Sequence, residues 1–480
     1  MSPDRQVYLL DPRSLKPEVI AVAFAKTSRS PQTFREIAAE LSDEKSAEFH
    51  EKWVVGYGHG SVAEHAILHV AVENISRLAV ESLESNRLAS YTEKSTRYQK
   101  WGPDDFYTPP ELLDHPLLQR YQQTVRNLFT TYLQSLPIVR EVIAAENPRS
   151  PGESEGAYER RIRSDYVDVC RFLLPAASLA NVGMTINARA LEHAIRKMLS
   201  HPLAEVRQLG DEIKQVAQKE VPTLVKYADA VPYLQNAQTE LENEARQINI
   251  PAQKEQDWCR LVHYEPEGEK RVMAAALFRQ GELSYSQAFA YVCSLNPQGL
   301  KHLAQILLSS AGKFDIPLRE IEHTTFTAEV TLDQGAYVEL KRHRMMTQSP
   351  QALTPHLGYA IPRTITQAGF EPLFREAVEN ASQVYEEIAQ VFPSVASYVI
   401  PNACNRRVLM TFNLRAADHF VALRSAPNAH FSIRRVAQRI YEQISDVAPF
   451  LGSLLRVYPG ENSQEIGQRY FSHVNARVES

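Results

Sequence analysis

The sequence predicts a protein of two α+β domains in tandem, because three landmarks recur in the same order in each half. Each half carries a Glu-His pair that opens an alternating apolar segment, then a basic cluster, then a proline followed by Asn-x-Arg. A polar segment with two prolines separates the halves. Such a repeat arises when one structural unit is duplicated. We therefore expect domains over residues 1–230 and 259–480, a linker over 231–258, and pseudo-twofold symmetry between the domains.

The Glu-His pair precedes a predicted strand in each half. After His65 the sequence reads AILHVAVENIS, and after His323 it reads TTFTAEVTLD. Alternation of apolar and polar residues is typical of a half-buried strand. In the second segment the alternating apolar residues are Phe326, Ala328, Val330 and Leu332.

The basic cluster reads Ser85-Asn86-Arg87 in the first half and Arg342-His343-Arg344 in the second. Its last arginine lies 22 residues after the histidine of the Glu-His pair in the first half and 21 residues after it in the second. The second cluster follows DQGAYVEL, a predicted helix, so its cations could simply stabilise a helix C-terminus. Guanidinium groups also bind phosphate in a bidentate way, which makes an anion site the other interpretation.

The proline landmark has the same spacing in both halves. Pro175 precedes Asn187 by 12 residues, and Pro401 precedes Asn413 by 12 residues. Helix-like sequence follows each asparagine, with a histidine six residues along that is either a core residue or a ligand contact. The interval between the basic cluster and the proline landmark is longer in the first half than in the second. A charged insertion over 147–163 best explains the difference, and we expect it to be a surface loop.

Composition is that of a globular protein and excludes several classes of function. The 480 residues are 44% hydrophobic and 23% charged, values that rule out a mostly disordered or collagenous chain. The net charge of −5 is too small for a general binder of nucleic acids or membrane surfaces. Any anion that the protein binds must therefore be held by local clusters of arginine.

Cysteine usage and hydropathy predict a cytoplasmic protein. The four cysteines are scattered and form no Cys-x-x-Cys pair, which is typical of a reducing compartment. The first residues, MSPDRQVYLLDPRS, lack the basic start and apolar stretch of a signal peptide. No apolar run reaches the roughly 18 residues of a membrane span, so we expect no membrane partner.

Standard cofactor motifs are absent from the sequence. The glycines of GYGHGS do not complete Gly-x-Gly-x-x-Gly, and SSAGKF is not a phosphate-binding P-loop. His59, His65 and His69 could face one side of a strand and bind zinc, but no His-Glu-x-x-His helix is present, and we expect no metal. The segment from Glu93 to Tyr98 is either a solvated turn or a loop that binds a phosphate and a sugar or base.

Together these landmarks resemble the flavin-dependent thymidylate synthases (ThyX family), over about 59–207 and again over about 314–435. The resemblance implies two ThyX-like domains that have both diverged, with FAD as cofactor. It implies the reductive methylation of dUMP to dTMP with methylenetetrahydrofolate, and NADPH as the reductant of the flavin. It also implies a homodimer that mimics the family's tetramer. No covalent nucleophile is expected, because none of the cysteines has the Pro-Cys setting of the folate-only enzymes.

Residue by residue, the resemblance divides the site between the halves. The residues implied to bind dUMP are Glu93, Ser95, Arg97, Arg171 and Arg424. Those implied to bind FAD are His65, Arg87, Asn187, Arg189 and His193 in the first half, and His323, Arg342, His343, Arg344, Asn413, Arg415 and His419 in the second. Ser85-Asn86 replaces Arg-His in the first half, and Ser397 stands in the second where Arg171 stands in the first. We therefore expect a composite site, to which each half contributes what the other has lost.

Two other functions stay open from the sequence. Loss of motif residues could leave a diverged flavoprotein or nucleotide-binding protein without thymidylate synthase activity, including a silent partner of a true synthase. A nucleic-acid-binding module could use the basic patches at 342–344 and 434–435, although the acidic balance and the lack of a known nucleic-acid-binding motif argue against it.

Overall fold

The computed structural model describes residues 6, 8, 10–28, 30–97, 99, 101–248, 257–309, 311–312 and 315–477. Tyr98 and the linker residues 249–256 lie outside this range. The chain divides into two compact units, each assembled from separate segments. Unit 1 comprises Met1–Lys94, Tyr107–His115 and Leu179–Pro251, and unit 2 comprises Ser95–Phe106, Pro116–Ser178 and Ala252–Ser480. The boundaries expected at residues 230 and 259 concern the sequence repeat and stay a prediction.

The described helices and strands follow one another along both repeats. The α-helices are α1 (Pro17–Lys26), α2 (Phe34–Ala39), α3 (Asp43–Phe49), α4 (Arg77–Glu84), α5 (Leu117–Glu146), α6 (Glu155–Cys170), α7 (Ala188–Leu199), α8 (Ala204–Ala217), α9 (Pro232–Gln247), α10 (Gly268–Gln280), α11 (Tyr285–Ser294), α12 (Pro297–Ala304), α13 (Gln334–Leu340), α14 (Arg363–Gln367), α15 (Glu371–Ala389), α16 (Leu414–Arg424), α17 (Phe431–Val447) and α18 (Ser463–Tyr470). The strands are β1 (Ile67–Ser76), β2 (Ala89–Glu93), β3 (Leu179–Asn187), β4 (Cys259–Tyr264), β5 (Thr325–Asp333), β6 (Thr347–Pro350), β7 (Tyr359–Pro362), β8 (Asn405–Asn413) and β9 (Phe471–Ala476).

Unit 1 contains a three-stranded antiparallel sheet in the order β1-β3-β2. Ile67 at the start of β1 pairs with Asn187 at the end of β3, and Ala89 at the start of β2 pairs with Ile186. The first residues of β1 and β2 therefore lie at the same end of the sheet as the asparagine of the proline landmark.

Unit 2 repeats this arrangement with one more strand, in the order β4-β5-β8-β6. Thr325 at the start of β5 pairs with Asn413, and Thr347 at the start of β6 pairs with Thr411. The alternation predicted for β5 is confirmed: its four apolar residues are buried in one core with the buried face of α17. A separate pair, β7 and β9, completes the strands described for this unit.

A β-bulge accounts for the one-residue difference between the two His-to-Arg spacings. In β1, Val72 pairs with Val182 but Ile75 pairs with Ala180, so β1 has one residue more than β3 between these pairs. Asn74 adopts φ 57° there, and its N–H donates to Asn181 Oδ1 at 3.0 Å. The equivalent pairing of β5 with β8 is regular throughout. The two halves thus share one supersecondary unit. Its spacing is 22 residues in the first half, where β1 has a bulge, and 21 in the second half, where β5 has none.

The loop expected over 147–163 was wrong in its second half, because α6 begins at Glu155. Ser154 caps this helix by accepting from Ala157 N–H, which stabilises its first turn. Ile162 and Tyr166 lie one turn apart and are buried. The charges that resembled a loop occupy the other faces of an amphipathic helix.

Two equivalent prolines meet inside unit 2. Pro175 and Pro401 form an antiparallel bridge. Ala176 N–H donates to Ile400 O at 2.9 Å, and the equivalent Asn402 N–H donates to Leu174 O at 3.0 Å. A second reciprocal pair of bonds follows: Ala177 N–H donates to Tyr398 O at 2.9 Å, and Ala403 N–H donates to Phe172 O at 2.8 Å. The two segments therefore contact each other through equivalent backbone groups.

The polar segment between the repeats includes α9, which buries none of its residues. Among the described residues, no helix combines the length and apolarity that a membrane crossing requires.

Candidate functional site

In unit 2 the predicted FAD residues gather at one end of the four-stranded sheet. His323 lies two residues before the strand partner of Asn413, and the Arg-His-Arg cluster directly precedes β6 at the same end. Arg415 forms an ion pair with Glu322 at 2.5 Å. His323, Arg342 and His419 are exposed, and Arg344 is half-buried. These side chains can therefore reach a ligand at the sheet end.

Unit 1 places the equivalent residues at the equivalent end of its own sheet. Arg189 forms an ion pair with Glu64 at 2.5 Å, which matches the Arg415–Glu322 pair in unit 2. His65, Arg87 and His193 are exposed. Exposure rules out the core interpretation for His193, as it does for His419 in unit 2.

The two asparagines of Asn-x-Arg cap the helices that follow them. Asn187 Oδ1 accepts from Ala190 N–H at 2.9 Å, and Asn413 Oδ1 accepts from Ala416 N–H at 2.8 Å. An N-cap contributes about 0.5–2 kcal/mol to stability. Helix capping is thus a structural reason for asparagine at both positions. A contact with a ligand would be a second reason.

Arg97 lies in unit 2 and is bound to Asp168 by two parallel hydrogen bonds. Its Nε and Nη2 donate to the two carboxylate oxygens at 2.9 and 2.7 Å. It also donates to Ser164 Oγ at 3.1 Å and to Asn428 O at 2.9 Å. Ser95 Oγ accepts from Arg97 N–H at 3.2 Å, which shapes the turn that carries the guanidinium.

Glu339 joins the other two predicted nucleotide arginines. Arg171 donates from Nη2 to one carboxylate oxygen at 3.1 Å, and Arg424 donates from Nη1 to the other at 2.7 Å. Arg171 also lies 3.8 Å from Asp168 through Nε and donates to Thr96 Oγ1 at 3.2 Å. Arg97, Arg171 and Arg424, with Asp168 and Glu339, form what we call the arginine cluster.

Two buried histidines support the arginine cluster. Arg424 Nε donates to His343 Nε2 at 2.9 Å, so this histidine is neutral at that nitrogen. Burial, together with the charge of Arg424, lowers the pKa of His343 to about 3. His430 Nδ1 accepts from Ser432 N–H at 3.2 Å, so its Nε2 donates to Asp168 O at 3.1 Å. Burial lowers the pKa of His430 well below its usual value.

The charges of the arginine cluster leave one positive charge in excess, since three guanidinium groups face two carboxylates. Burial raises the pKa of Asp168, whereas the adjacent arginines act to lower it. A phosphate monoester would therefore find fork-shaped donors here, but it would compete with Asp168 and Glu339 for them.

The remaining predicted nucleotide residue, Glu93, belongs to unit 1. Its carboxylate accepts from Arg77 at 2.6 Å, and both side chains are almost fully buried. Arg77 Nη2 also donates to Lys94 O at 2.8 Å. Glu93 thus holds the end of β2 in place through a buried ion pair.

The positions equivalent to two cluster arginines carry residues that cannot bind phosphate in this way. Met198, which stands where Arg424 stands in the second repeat, is buried in the core. Ser397, which stands where Arg171 stands in the first, is buried and donates to Leu353 O at 2.8 Å. The two repeats have therefore kept different motif residues. Arg97 and Arg171 of the first repeat and Arg424 of the second meet in one described cluster.

Sequence reasoning missed Asp168 and Glu339. Asp168 precedes Arg171 by three residues, a helical spacing that could have indicated the ion pair. Glu339 gave no comparable signal, because its partners lie 168 and 85 residues away. His69, which was considered as a zinc ligand, hydrogen-bonds Thr185 Oγ1 through Nδ1 at 2.9 Å. Among the residues that the structure describes, no three His, Cys, Asp or Glu side chains are grouped to hold a metal ion.

Comparison with known proteins gives matches over most of the chain. The model of the family "Thymidylate synthase complementing protein" matches residues 10–223 and 260–450. A "UPF0159 protein" of Chlamydia muridarum is 32% identical over 437 residues, which cover 87% of this chain and 82% of the relative. A "Flavin-dependent thymidylate synthase" of Clostridium tetani is 28% identical over 213 residues, which cover 44% of this chain and 82% of the relative. A solved flavin-dependent thymidylate synthase of Helicobacter pylori, in complex with FAD and dUMP, has a TM-score of 0.32 and 16% identity, covering 41% of this chain and 98% of its own.

Proposed function

Because the chain belongs to the thymidylate synthase complementing protein family, as its landmarks predicted, we propose that it is a flavin-dependent thymidylate synthase. In this proposal it transfers the one-carbon group of methylenetetrahydrofolate to dUMP and releases dTMP, with NADPH as the reductant. It acts in the cytoplasm, in keeping with its four unpaired thiols. The full-length relative from Chlamydia muridarum carries no activity in its name, so the assignment depends on the residues of this chain.

The observation that carries the proposal is the meeting of Arg97, Arg171 and Arg424 in one cluster. The first two come from the first repeat and the third from the second, as a composite site requires. Buried guanidinium groups with fixed orientation recognise phosphate through paired hydrogen bonds. In the proposal these arginines bind the phosphate of dUMP, while Ser95 contacts its sugar or base.

Binding of the phosphate requires that Asp168 and Glu339 give up donors. The excess positive charge of the cluster favours an entering dianion, and Arg424 keeps its orientation through His343 Nε2. We therefore assign His343 a positioning role, through Arg424, in addition to the FAD contact that the resemblance implies. Each charged hydrogen bond to the phosphate contributes about 1.5–3 kcal/mol.

The residues present fit FAD at the sheet ends. FAD carries a pyrophosphate and a flat ring system, and exposed guanidinium and imidazole groups suit both. In unit 2 we assign the flavin to His323, Arg342, Arg344, Asn413, Arg415 and His419, and in unit 1 to His65, Arg87, Asn187, Arg189 and His193. When bound, FAD supplies the hydride for the reduction, and the protein supplies orientation and electrostatics.

We also infer that two chains form a homodimer that mimics a tetramer. The reciprocal bonds around Pro175 and Pro401 support the pseudo-twofold relation expected between the repeats. Sedimentation of the purified chain tests this: a mass twice that of one 54.3 kDa chain is expected, and a monomer contradicts it.

A second candidate function is that of a diverged flavoprotein or nucleotide-binding protein without thymidylate synthase activity. One observation favours it: the three arginines already have carboxylate partners, so the cluster is stable as an internal ion-pair network. Such a network occurs in proteins without any ligand. Both candidate functions include FAD binding. They differ in whether the protein forms dTMP.

The test combines flavin absorbance, dUMP binding and dTMP formation on the full chain. With dUMP, methylenetetrahydrofolate and NADPH, we expect dTMP, measured by chromatography. Arg97→Gln and Arg424→Gln should each weaken dUMP binding about 10- to 150-fold, from about 1.5–3 kcal/mol per charged bond. Arg126→Gln is the matched control, because Arg126 pairs with Asp104 on the surface. Retained dTMP formation in both cluster variants contradicts the composite site, and dUMP binding without dTMP favours the second candidate.

A further inference from the structure

A pocket of about 560 Å³ opens in unit 2 beside α18, away from every residue assigned to dUMP or FAD. Its wall includes α18 and β9, which lie beyond residue 450, where the family match ends. The pocket is therefore built partly from sequence that the family model does not describe.

Arg435 lines this pocket, where Asp333 and Asp257 lie close enough to act on its pKa. Its guanidinium lies over the ring of Trp258, 3.7 Å from the ring centroid. Among the described residues it has no hydrogen bond and no ion pair within 4 Å. Burial lowers the pKa of Arg435 to about 10, so the group is still charged at neutral pH. Stacking on an indole fixes the plane of the guanidinium and leaves its N–H edge for another ligand.

The other charged groups of the pocket lower its positive charge without removing it. Arg439 forms ion pairs with Asp257 and Glu442, so these three groups together carry one negative charge. Arg363 donates to Phe471 O at 3.3 Å and has no carboxylate partner among the described residues. With Arg363 and Arg435 counted, these groups leave one positive charge in excess, and neither of these two arginines forms an ion pair with a described residue. Neutral donors, Gln464, Gln468 and Ser472, complete the lining on that side.

A glycine in the middle of α18 makes room for Arg435. A Cβ at Gly467 would lie 3.3 Å from Arg435 Nε. Glycine inside a helix costs about 1 kcal/mol relative to alanine. The close approach of the guanidinium explains why the helix carries glycine at this point.

We propose that this pocket binds a phosphorylated small molecule with at least two negative charges, through Arg363 and Arg435. Phosphate suits the site because planar guanidinium groups bind its oxygens in pairs. Arg363 and Arg435 each supply one guanidinium group to such a ligand. The site is distinct from the arginine cluster and does not depend on the proposed thymidylate synthase activity.

The probe for this site is inorganic pyrophosphate, titrated into the full chain by calorimetry and by tryptophan fluorescence. We expect saturable binding with a fluorescence change that Trp258→Phe abolishes. Arg435→Gln and Arg363→Gln should each weaken binding at least tenfold. Arg469→Gln is the matched control, since Arg469 is an exposed arginine of α18 outside the pocket lining, and it should leave binding unchanged.

A second control separates this pocket from the arginine cluster. Saturating dUMP should leave the fluorescence change on pyrophosphate binding intact. Equal affinity in the parent protein and both pocket variants overturns the proposal, as does loss of the fluorescence change in the presence of dUMP. Succinate that binds as tightly as pyrophosphate overturns the assignment to phosphate. Should Arg435→Gln fail to fold, the exposed Arg363→Gln decides the outcome.

Discussion

Arg424 donates to His343 through Nε at 2.9 Å, and the two residues come from separate elements, α16 and the turn after α13. The bond requires a lone pair on His343 Nε2, so a protonated imidazole cannot make it. The middle residue of Arg-His-Arg is therefore buried and neutral, while Arg342 on one side of it is exposed. This arrangement couples the orientation of a proposed phosphate-binding arginine to the protonation state of a histidine.

The stability of unit 2 should fall as the pH drops below about 6.5. Burial lowers the pKa of His343 to about 3 and that of His430 well below its usual value. The unfolded chain therefore binds protons that the folded chain rejects, and the stabilisation is present above the unfolded pKa and lost below it. Each such histidine contributes about 1.4 kcal/mol per pH unit in this window. Urea unfolding at pH 7 and pH 5 measures the loss.

The control for this prediction is the exposed His302. His343→Gln, whose amide oxygen can still accept from Arg424, should lose less stability between pH 7 and pH 5 than the parent protein does. His302→Gln should behave like the parent. An unchanged pH dependence in His343→Gln contradicts the assignment of a neutral buried imidazole.

Glu339→Gln should bind dUMP more tightly than the parent protein if the proposed function is correct. The change removes the carboxylate that Arg171 and Arg424 share and raises the excess charge of the arginine cluster by one. We expect affinity to rise about tenfold, the equivalent of 1.4 kcal/mol, and stability to fall by about 1–3 kcal/mol. Calorimetric titration with dUMP checks this, with the exposed Glu376→Gln on α15 as control. Weaker binding in Glu339→Gln means that Glu339 itself contacts the nucleotide.

Asn74→Val should destabilise unit 1, whereas Asn74→Gly should be tolerated. Asn74 holds φ 57° in the bulge of β1, a conformation that costs a β-branched residue about 1–3 kcal/mol. Glu73→Val, at the exposed neighbouring position, is the matched control for adding valine to this strand. Urea midpoints that rank the two valine variants equally contradict the role assigned to the bulge.

A single thiol should react quickly with an aromatic disulfide reagent in the native protein. Cys293 is exposed, whereas Cys170, Cys259 and Cys404 are buried. Burial raises the pKa of Cys170 and Cys404 to about 12 and also raises that of Cys259. Since the thiolate is the reactive form, the buried thiols should react only on unfolding. We expect one thiol per chain to react quickly in the parent protein and none in Cys293→Ser. Any fast-reacting thiol in that variant contradicts the burial of the other three cysteines.

Local patterns were enough to predict some of the strands and helices of the repeat. The alternation that identified β5 and the helix-like sequence after each Asn-x-Arg depend only on neighbours in sequence, and the structure confirms both. The charged stretch before α6 was misread because a helix with a narrow apolar face, here Ile162 and Tyr166, is hard to tell from a loop by composition. The spacing of 22 rather than 21 residues was visible in the sequence, but the bulge that causes it was not.

The sequence by itself determined the family, the duplicated order of landmarks and the loss of different motif residues from each copy, because these are statements about residue identity along one chain. Only the tertiary structure decided that Arg97, Arg171 and Arg424 share two carboxylates, and that Arg435 stacks on Trp258 without an ion pair to any described residue. Ion pairing and burial depend on side chains separated by up to 168 residues in the arginine cluster. A local sequence pattern does not show which carboxylate far along the chain will pair with a given arginine.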